Sequence, residues 1–350
     1  MAAIRVFLLT CRRPQMLPAA LASLRAQTFT DWICELHNDA PEDDSPRRLL
    51  AEIPDPRITL HQHATNGGAV ATFNHAFAAG PEPFTAILED DNRWDPEFLA
   101  TAHTALLTTP DANVAFANLR LREELPDGSW RDLGRTVWKT SPDDQTPRLF
   151  HWPQPLQAFD ALHSNGAMLV RRQASAAALV PPSTPFAIIE PVRERLLAGG
   201  WLLLPQPLGD FSRTINTARS PDPADWAQSQ LLVAASYYAA VQPDDEALGT
   251  FWKTLRSHQP PTTTLLFHLA LSGVNPAAIL RHARVSDWLR FLAGALRHPV
   301  ALIRALRFRR RHAVLWEILR PAALQRSVEA RARESSPADP APLWTKHLGR

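Results

Sequence analysis

Between Ile4 and Leu121, short apolar runs alternate with segments patterned as helices, and the connections between them are brief. Strands that follow one another through crossing helices pair in parallel, so this alternation restricts the first third of the chain to an α/β sheet. Ile4–Thr10, Trp32–Leu36, Ile58–His61, Phe84–Leu88 and Val114–Leu121 are the strands it predicts. A helix begins at Pro14 and carries Leu17, Leu21 and Leu24 on one face. Others are expected over Arg47–Ile53, Ala69–Ala79 and Pro96–Leu107, the last with Asp95 as its N-cap and Pro96 at the first helical position. Ligands of such sheets sit outside the carboxyl ends of the strands. Thr10, Asp39 and Asp91 fall there.

The run Phe84–Leu88 leads directly into Glu89-Asp90-Asp91. Three carboxylates this close repel and raise one another's pKa. A divalent cation removes that cost, and an all-oxygen set suits Mg²⁺ or Mn²⁺ shared with substrate phosphates. Acids also decorate turns without binding anything, so the triplet gains meaning only from its surroundings.

Further along, Asp127-Gly128 signals a hairpin, and Ser164-Asn165-Gly166 precedes a strand over Ala167–Val170. Glu190–Ala198 reads as a helix stopped by Gly199-Gly200, and Trp201–Leu204 as the last strand. Beyond Ser220-Pro221-Asp222-Pro223 the pattern is helical only, over 224–240, 244–257, 262–271, 276–296 and 299–319. The expected organisation is a sheet domain over 1–220, a helical region over 221–334 and a poorly ordered tail over 335–350, rich in Pro, Ala and Ser.

Composition excludes several classes. The net charge of +2 gives no field for nucleic acid. No apolar run is long enough for a membrane span, and the N-terminus lacks a signal-peptide pattern. Cys11 and Cys34 read as free thiols of a reducing, cytoplasmic setting. His61 and His63 alternate on a strand with no third ligand at metal spacing, which favours a structural reading. No nucleophile elbow surrounds Ser23, Ser45 or Ser164, and Asn66-Gly67-Gly68 is not a dinucleotide fingerprint.

Four segments in order resemble the family 2 glycosyltransferases. They are Thr10-Cys11-Arg12-Arg13-Pro14 with Leu17, the loop Asn38-Asp39-Ala40-Pro41-Glu42-Asp43-Asp44-Ser45, Asn66-Gly67-Gly68 with Asn74, and Glu89-Asp90-Asp91. The chain departs from the family pattern at Arg12, Asn38, Ala40 and Pro41, and Glu89 replaces an aspartate. The resemblance implies an A-type glycosyltransferase fold, a mixed sheet flanked by helices, and an inverting transfer of sugar from a nucleotide-diphosphate donor of the UDP type. It implies a glycan or lipid-linked acceptor in surface polysaccharide synthesis, and Mg²⁺ or Mn²⁺ on Asp91 and Glu89. Thr10, Arg13, Asp39, Asn66, Gly68 and Asp90 become the donor-binding residues, with Asp39 on the base and Arg13 on phosphate. Asn66 and Asn74 also suit purely structural bonds to turns and helix starts.

The family's acidic pair, which supplies its catalytic base, aligns with Ile188 and Ile189, upstream of Arg195-Leu196 and Gly200-Trp201. Glu190 is the neighbouring carboxylate and the expected base, with Asp210 next in line. The position of a metal-binding histidine in many relatives falls near Thr214. The missing pair keeps a second reading open, a nucleotide-sugar-binding scaffold without turnover. Finally, Pro276–His312 holds nine arginines and one acid, Asp287, interleaved with large apolar residues. Such a helix pair either lies on an anionic membrane surface or packs on the sheet domain with a basic outer face.

Overall fold

The computed structural model describes residues 2–78, 80–141, 143–175, 178–215, 220 and 222–333. The expected disordered tail over 335–350 lies outside them.

Ten strands form one sheet: β1 (Ile4–Thr10), β2 (Trp32–Asn38), β3 (Ile58–Gln62), β4 (Phe84–Glu89), β5 (Arg93–Trp94), β6 (Ala112–Glu124), β7 (Trp130–Thr136), β8 (Arg148–Phe150), β9 (Met168–Arg171) and β10 (Gly200–Arg213). Their order is β3-β2-β1-β4-β9-β6-β10-β5, with β7 beside β6 and β8 beside β10. The first four are parallel, as the alternation requires. The sheet as a whole is mixed, because β9 inserts antiparallel between β4 and β6. Leu9 lies opposite both His37 and Glu89, so the exits of β1, β2 and β4 are level. The Asp39 amide then donates to the Thr10 carbonyl and the Asp90 amide to the Leu9 carbonyl, each at 3.0 Å.

Each face of the sheet has its own core. Leu17, Leu21 and Leu24 of the helix Leu17–Arg25 and Phe98, Leu99 and Leu106 of the helix Phe98–Thr108 cover one face. The other face continues without a break into the C-terminal helices, so that Phe77, Ile87 and Trp201 share a core with Leu231, Trp252, Phe267 and Leu319. Each fully buried side chain of this size contributes about 1.5–3 kcal/mol. Polar bonds join the same regions. Arg326 donates to the carbonyls of Leu197 at 2.6 Å and Gly199 at 3.3 Å, and the Trp152 indole donates to Ser327 Oγ at 3.0 Å.

Several boundaries differ from expectation. Asp95 does not cap the helix Phe98–Thr108. Its carboxylate is taken by Arg120 from β6, and the Leu99 amide donates to Gln27 Oε1 at 3.0 Å instead. An ion pair with a distant strand thus outcompetes the local cap. The helix expected over Ala69–Ala79 ends at His75, the one expected from Pro14 starts at Leu17, and that over Glu190–Ala198 spans Ile189–Leu196. The two long C-terminal helices are five: Pro276–Leu280, Val285–Arg297, Pro299–Leu306, Phe308–Arg311 and Ala313–Arg333. Asp222 and Asp244 cap the helices Pro223–Val241 and Asp245–Ser257 by accepting backbone amides.

The basic region splits its apolar residues between two sides. Phe291, Ala305 and Phe308 face the core, whereas Leu289, Leu292, Leu296, Val300 and Ile303 are exposed. No helix among the described residues is long and apolar enough to cross a membrane.

Candidate functional site

The level strand exits gather the acids and their counter-charge. The Thr10 hydroxyl donates to Asp90 at 2.7 Å, and the Cys11 amide adds a weaker bond at 3.4 Å. Arg13 reaches Asp91 at 2.5 Å and Asp90 at 3.3 Å, and its other amino group lies 3.5 Å from the Thr214 hydroxyl. Thr10, Arg13, Asp90 and Asp91 therefore form one cluster. It borders a cleft of about 270 Å³ whose far wall is the hairpin β6–β7, with Arg122, Glu124 and Trp130 facing in.

One guanidinium does not balance three carboxylates. Burial pushes the Asp90 carboxyl up to about 6, and Asp91 adds to this while Arg13 opposes it. Asp91 is likewise raised by burial against the pull of Arg13. Glu89 is raised well above its ordinary value, first by burial and then by Asp91, Glu190 and Asp90. Glu89 thus feels Asp91 on one side and Glu190 on the other. A divalent cation fits here, because Asp91 lies beside the cleft and the local negative charge is under-compensated.

Glu190 is brought in from the first turn of the helix Ile189–Leu196. Asn165 donates to it at 3.0 Å and in turn accepts from Arg193. Arg193 is fully buried, its guanidinium 4.2 Å above the Phe77 ring. Burial lowers its pKa to about 10, against the field of Glu190, Glu89 and Glu194. Asn92 donates to Glu89 at 2.9 Å, and a Cβ at Gly166 would lie 2.8 Å from Glu89 Oε2 and 2.6 Å from Asn92 Nδ2. Only glycine lets the loop 164–166 close against Glu89. Asn92, Asn165 and Arg193 were not singled out by sequence. The turn at Asn165-Gly166 was the available signal, and it was read as a strand start alone.

Asp39 forms a second cluster with the other two predicted donor residues. The Gly67 and Gly68 amides donate to its two oxygens at 2.7 and 2.9 Å, and His63 lies 3.1 Å from Oδ1. Asn66 donates to the Asp39 carbonyl at 2.8 Å. Asp39 is 3% exposed, and one acceptor position on Oδ2 remains. Asn74 is structural, clamping Val180 by donating to its carbonyl at 2.8 Å and accepting its amide at 3.0 Å. Asp210, the reserve candidate for a base, is held by Arg120 at 2.8 Å and Arg122 at 3.3 Å.

Two further findings involve histidine. Glu194 anchors the loop before Asn165, accepting the amides of Leu162 at 2.6 Å and His163 at 3.0 Å, with His163 Nδ1 at 2.7 Å. In addition, His61 and His63 are not isolated, since the fold brings His37 and His75 to them. The partners come from β2 and from the helix Gly68–His75, which no local spacing reveals.

Residues 6–164 match the family described as Glycosyl transferase family 2. Among curated proteins, the chain is 27% identical over 109 residues to WcaA of Escherichia coli (strain K12), which is named for glycosyl transfer in colanic acid biosynthesis. It is 26% identical over 107 residues to the uncharacterized protein y4gI of Sinorhizobium fredii (strain NBRC 101917 / NGR234). These matches span 30% of this chain and only 39% and 12% of those relatives. Among solved structures, residues 1–349 of S. aureus TarS superpose with a TM-score of 0.54 at 14% identity, over 95% of this chain and 92% of that one. The same TarS fragment in complex with UDP-GlcNAc gives a TM-score of 0.55 at 13% identity, over the same shares of both chains. At such identity the likeness establishes the fold, an A-type glycosyltransferase sheet with helices appended.

Proposed function

We propose that this chain, a member of glycosyl transferase family 2 through residues 6–164, moves a sugar from a UDP-type donor to an acceptor hydroxyl with inversion. The observation that carries the reading is the Arg13–Asp90–Asp91 cluster beside the cleft, joined through Glu89 to Glu190. TarS, which shares the fold, has been crystallised with UDP-GlcNAc and with UDP; the donor class proposed here follows that relative.

In this reading the donor diphosphate lies against Arg13, whose fixed guanidinium fork suits phosphate oxygens. Asp91, with Glu89 behind it, would hold Mg²⁺ or Mn²⁺. When bound, the cation supplies Lewis-acid charge to the departing nucleoside diphosphate. Asp39 reads the base through its remaining acceptor position, beside Asn66 and Gly68, which bond to it. Thr10 holds Asp90 by its hydroxyl, and Asp90 and Asp91 both line the cleft. Glu190 takes the acceptor hydroxyl proton as the oxygen attacks the anomeric carbon and the bond to the diphosphate breaks. Asn165 fixes the carboxylate for that transfer, and Arg193 offsets the charge around it. The proposed acceptor is a glycan or a lipid-linked intermediate of surface polysaccharide at the cytoplasmic face of a membrane. The exposed Leu289, Leu292 and Leu296 among arginines supply the contact with that surface.

A binding scaffold without turnover is the second reading. It is favoured by Ile188 and Ile189, both buried, at the position of the family's acidic pair. Calorimetric titration of UDP with and without Mn²⁺, on the wild type and on Asp91→Asn, tests the donor assignment. Metal-dependent binding in the wild type that is lost in a folded Asp91→Asn supports it. Equal binding in both overturns it. Donor hydrolysis then separates enzyme from scaffold.

A further inference from the structure

Beneath Asp39, four side chains form one hydrogen-bonded row. Glu35 Oε2 lies 3.0 Å from His37 Nε2, His37 Nδ1 lies 2.9 Å from His63 Nε2, and His63 Nδ1 lies 3.1 Å from Asp39 Oδ1. His75 closes over the middle, its ring 4.5 Å from that of His37 and 5.3 Å from that of His63. The available nitrogens of His37, His63 and His75 all lie within 4.8 Å of one another.

Counting protons shows what this row lacks. Ionised carboxylates only accept, and a neutral imidazole carries one N–H. The row has three contacts, and two neutral imidazoles supply two protons. If His37 and His63 each donate outward to a carboxylate, two bare lone pairs face each other at 2.9 Å. If either donates inward, its other nitrogen turns a lone pair to a carboxylate. The gap calls for a positive charge between the two rings. His37 is 4% exposed, and burial disfavours the imidazolium form that would supply it. Glu35 keeps its own charge through Arg5.

We propose that His37, His63 and His75 form a Zn²⁺ site, with Glu35 and Asp39 as the carboxylates that orient two of its ligands. Imidazole nitrogens suit zinc, and ligating histidines characteristically give their second N–H to a carboxylate. Zn–N bonds of about 2.0–2.1 Å place neighbouring tetrahedral ligands roughly 3.3 Å apart, close to the 2.9 Å found between His37 and His63. A water or exogenous group completes the fourth position. His61, stacked 4.8 Å from His37, stays outside the set because its Nε2 faces Glu35. The ion would tie β2 to the segment after β3 and to the helix Gly68–His75, and so hold Asp39 and the Gly67–Gly68 amides in place. This site is separate from the oxygen-ligand cluster at Asp91 and does not depend on the proposed transfer.

The test uses the full chain stripped of metal and titrated with Co²⁺, then Zn²⁺, beside a large excess of Mg²⁺. The expected result is one equivalent of Co²⁺ with the visible absorption of a tetrahedral nitrogen site, displaced by Zn²⁺ and indifferent to Mg²⁺. His75→Ala removes a half-buried ligand at a helix end and should weaken Zn²⁺ by about 10–100-fold or more; circular dichroism checks its fold. His37→Gln gives the same loss by a second route. Absence of stoichiometric binding in the wild type overturns the proposal and leaves a shared proton in the gap. Binding that survives unchanged in folded His75→Ala and His37→Gln overturns it as well.

Discussion

Arg13 donates to Asp91 at 2.5 Å and to Asp90 at 3.3 Å, so a cation belonging to the chain already occupies the mouth of its acidic cluster. Asp91 and Asp90 in turn raise the Arg13 pKa, outweighing the opposite effect of burial. In the proposed function a donor diphosphate would compete with both acids for the same guanidinium. Arg13→Gln should therefore lower UDP affinity about 10–100-fold, the value of one charge-assisted bond. Calorimetry with and without Mn²⁺ measures it. An unchanged affinity would place the phosphates away from Arg13.

Glu190→Gln keeps the acceptor oxygen that Asn165 binds at 3.0 Å and removes only the charge. Turnover should fall by about 10²–10⁴ with donor affinity and melting temperature close to wild type. Near-normal turnover would show that another group takes the proton. Asp210, the next candidate, is ion-paired with Arg120 and Arg122.

The pair His163–Glu194 should contribute less stability as the medium becomes acidic, against the raised Glu89, Asp90 and Asp91 carboxyls, which act in the opposite direction. Burial holds the His163 imidazole below its ordinary 6.5, although Glu194 pulls the other way. Below 6.5 this histidine therefore binds more protons in the unfolded chain than in the folded one, and its contribution to stability falls as the pH falls. Burial pushes Glu194 up, but its bonds to His163 and Gln157 outweigh this and bring it below 4.5, so its contribution too is lost on acidification. Each proton of difference costs about 1.4 kcal/mol per pH unit. Urea unfolding at pH 7.5 and pH 5.5 reads the decline, and His163→Gln should make it shallower. A slope equal to wild type would assign the dependence to other groups.

The outward apolar face of the basic helices predicts salt-sensitive sedimentation with anionic vesicles. Leu296 is 83% exposed, so Leu296→Asp should reduce that binding without lowering the melting temperature. Wild type that stays in the supernatant at low salt would end the membrane assignment.

The positions of Thr10, Asp39 and Asp91 at strand carboxyl ends were legible from the strand–helix alternation, whereas Arg13 came from the family resemblance; their roles belong to the proposed function. Glu89 was legible as an acid but not as a link. Its neighbours Asn165 and Glu190 arrive from segments far along the chain, across the antiparallel insertion of β9. Asp95 was misread because a local cap was the only partner visible nearby, whereas Arg120 lies on another strand. The partners of the histidines were hidden for the same reason. Only His61 and His63 share a segment, and the row that matters runs through β2. The C-terminal helices were read from their Pro and Gly boundaries, but the breaks at 281–284, 307 and 312 carry neither proline nor glycine and passed unseen.

The bonds from Arg326 to the carbonyls of Leu197 and Gly199 mean that the last long helix closes the end of the helix Ile189–Leu196, whose first turn carries Glu190. A chimaera that joined residues 1–220 to a foreign C-terminal module would strip that closure and bare Trp152, which bonds Ser327 and packs on Tyr237. In the proposed function the helices would serve less as an appendage than as the back plate of the reaction chamber. Exchanging acceptor specificity between relatives by swapping tails would then disturb chemistry as well as recognition, and loop grafts on the β6–β7 hairpin offer the less invasive route.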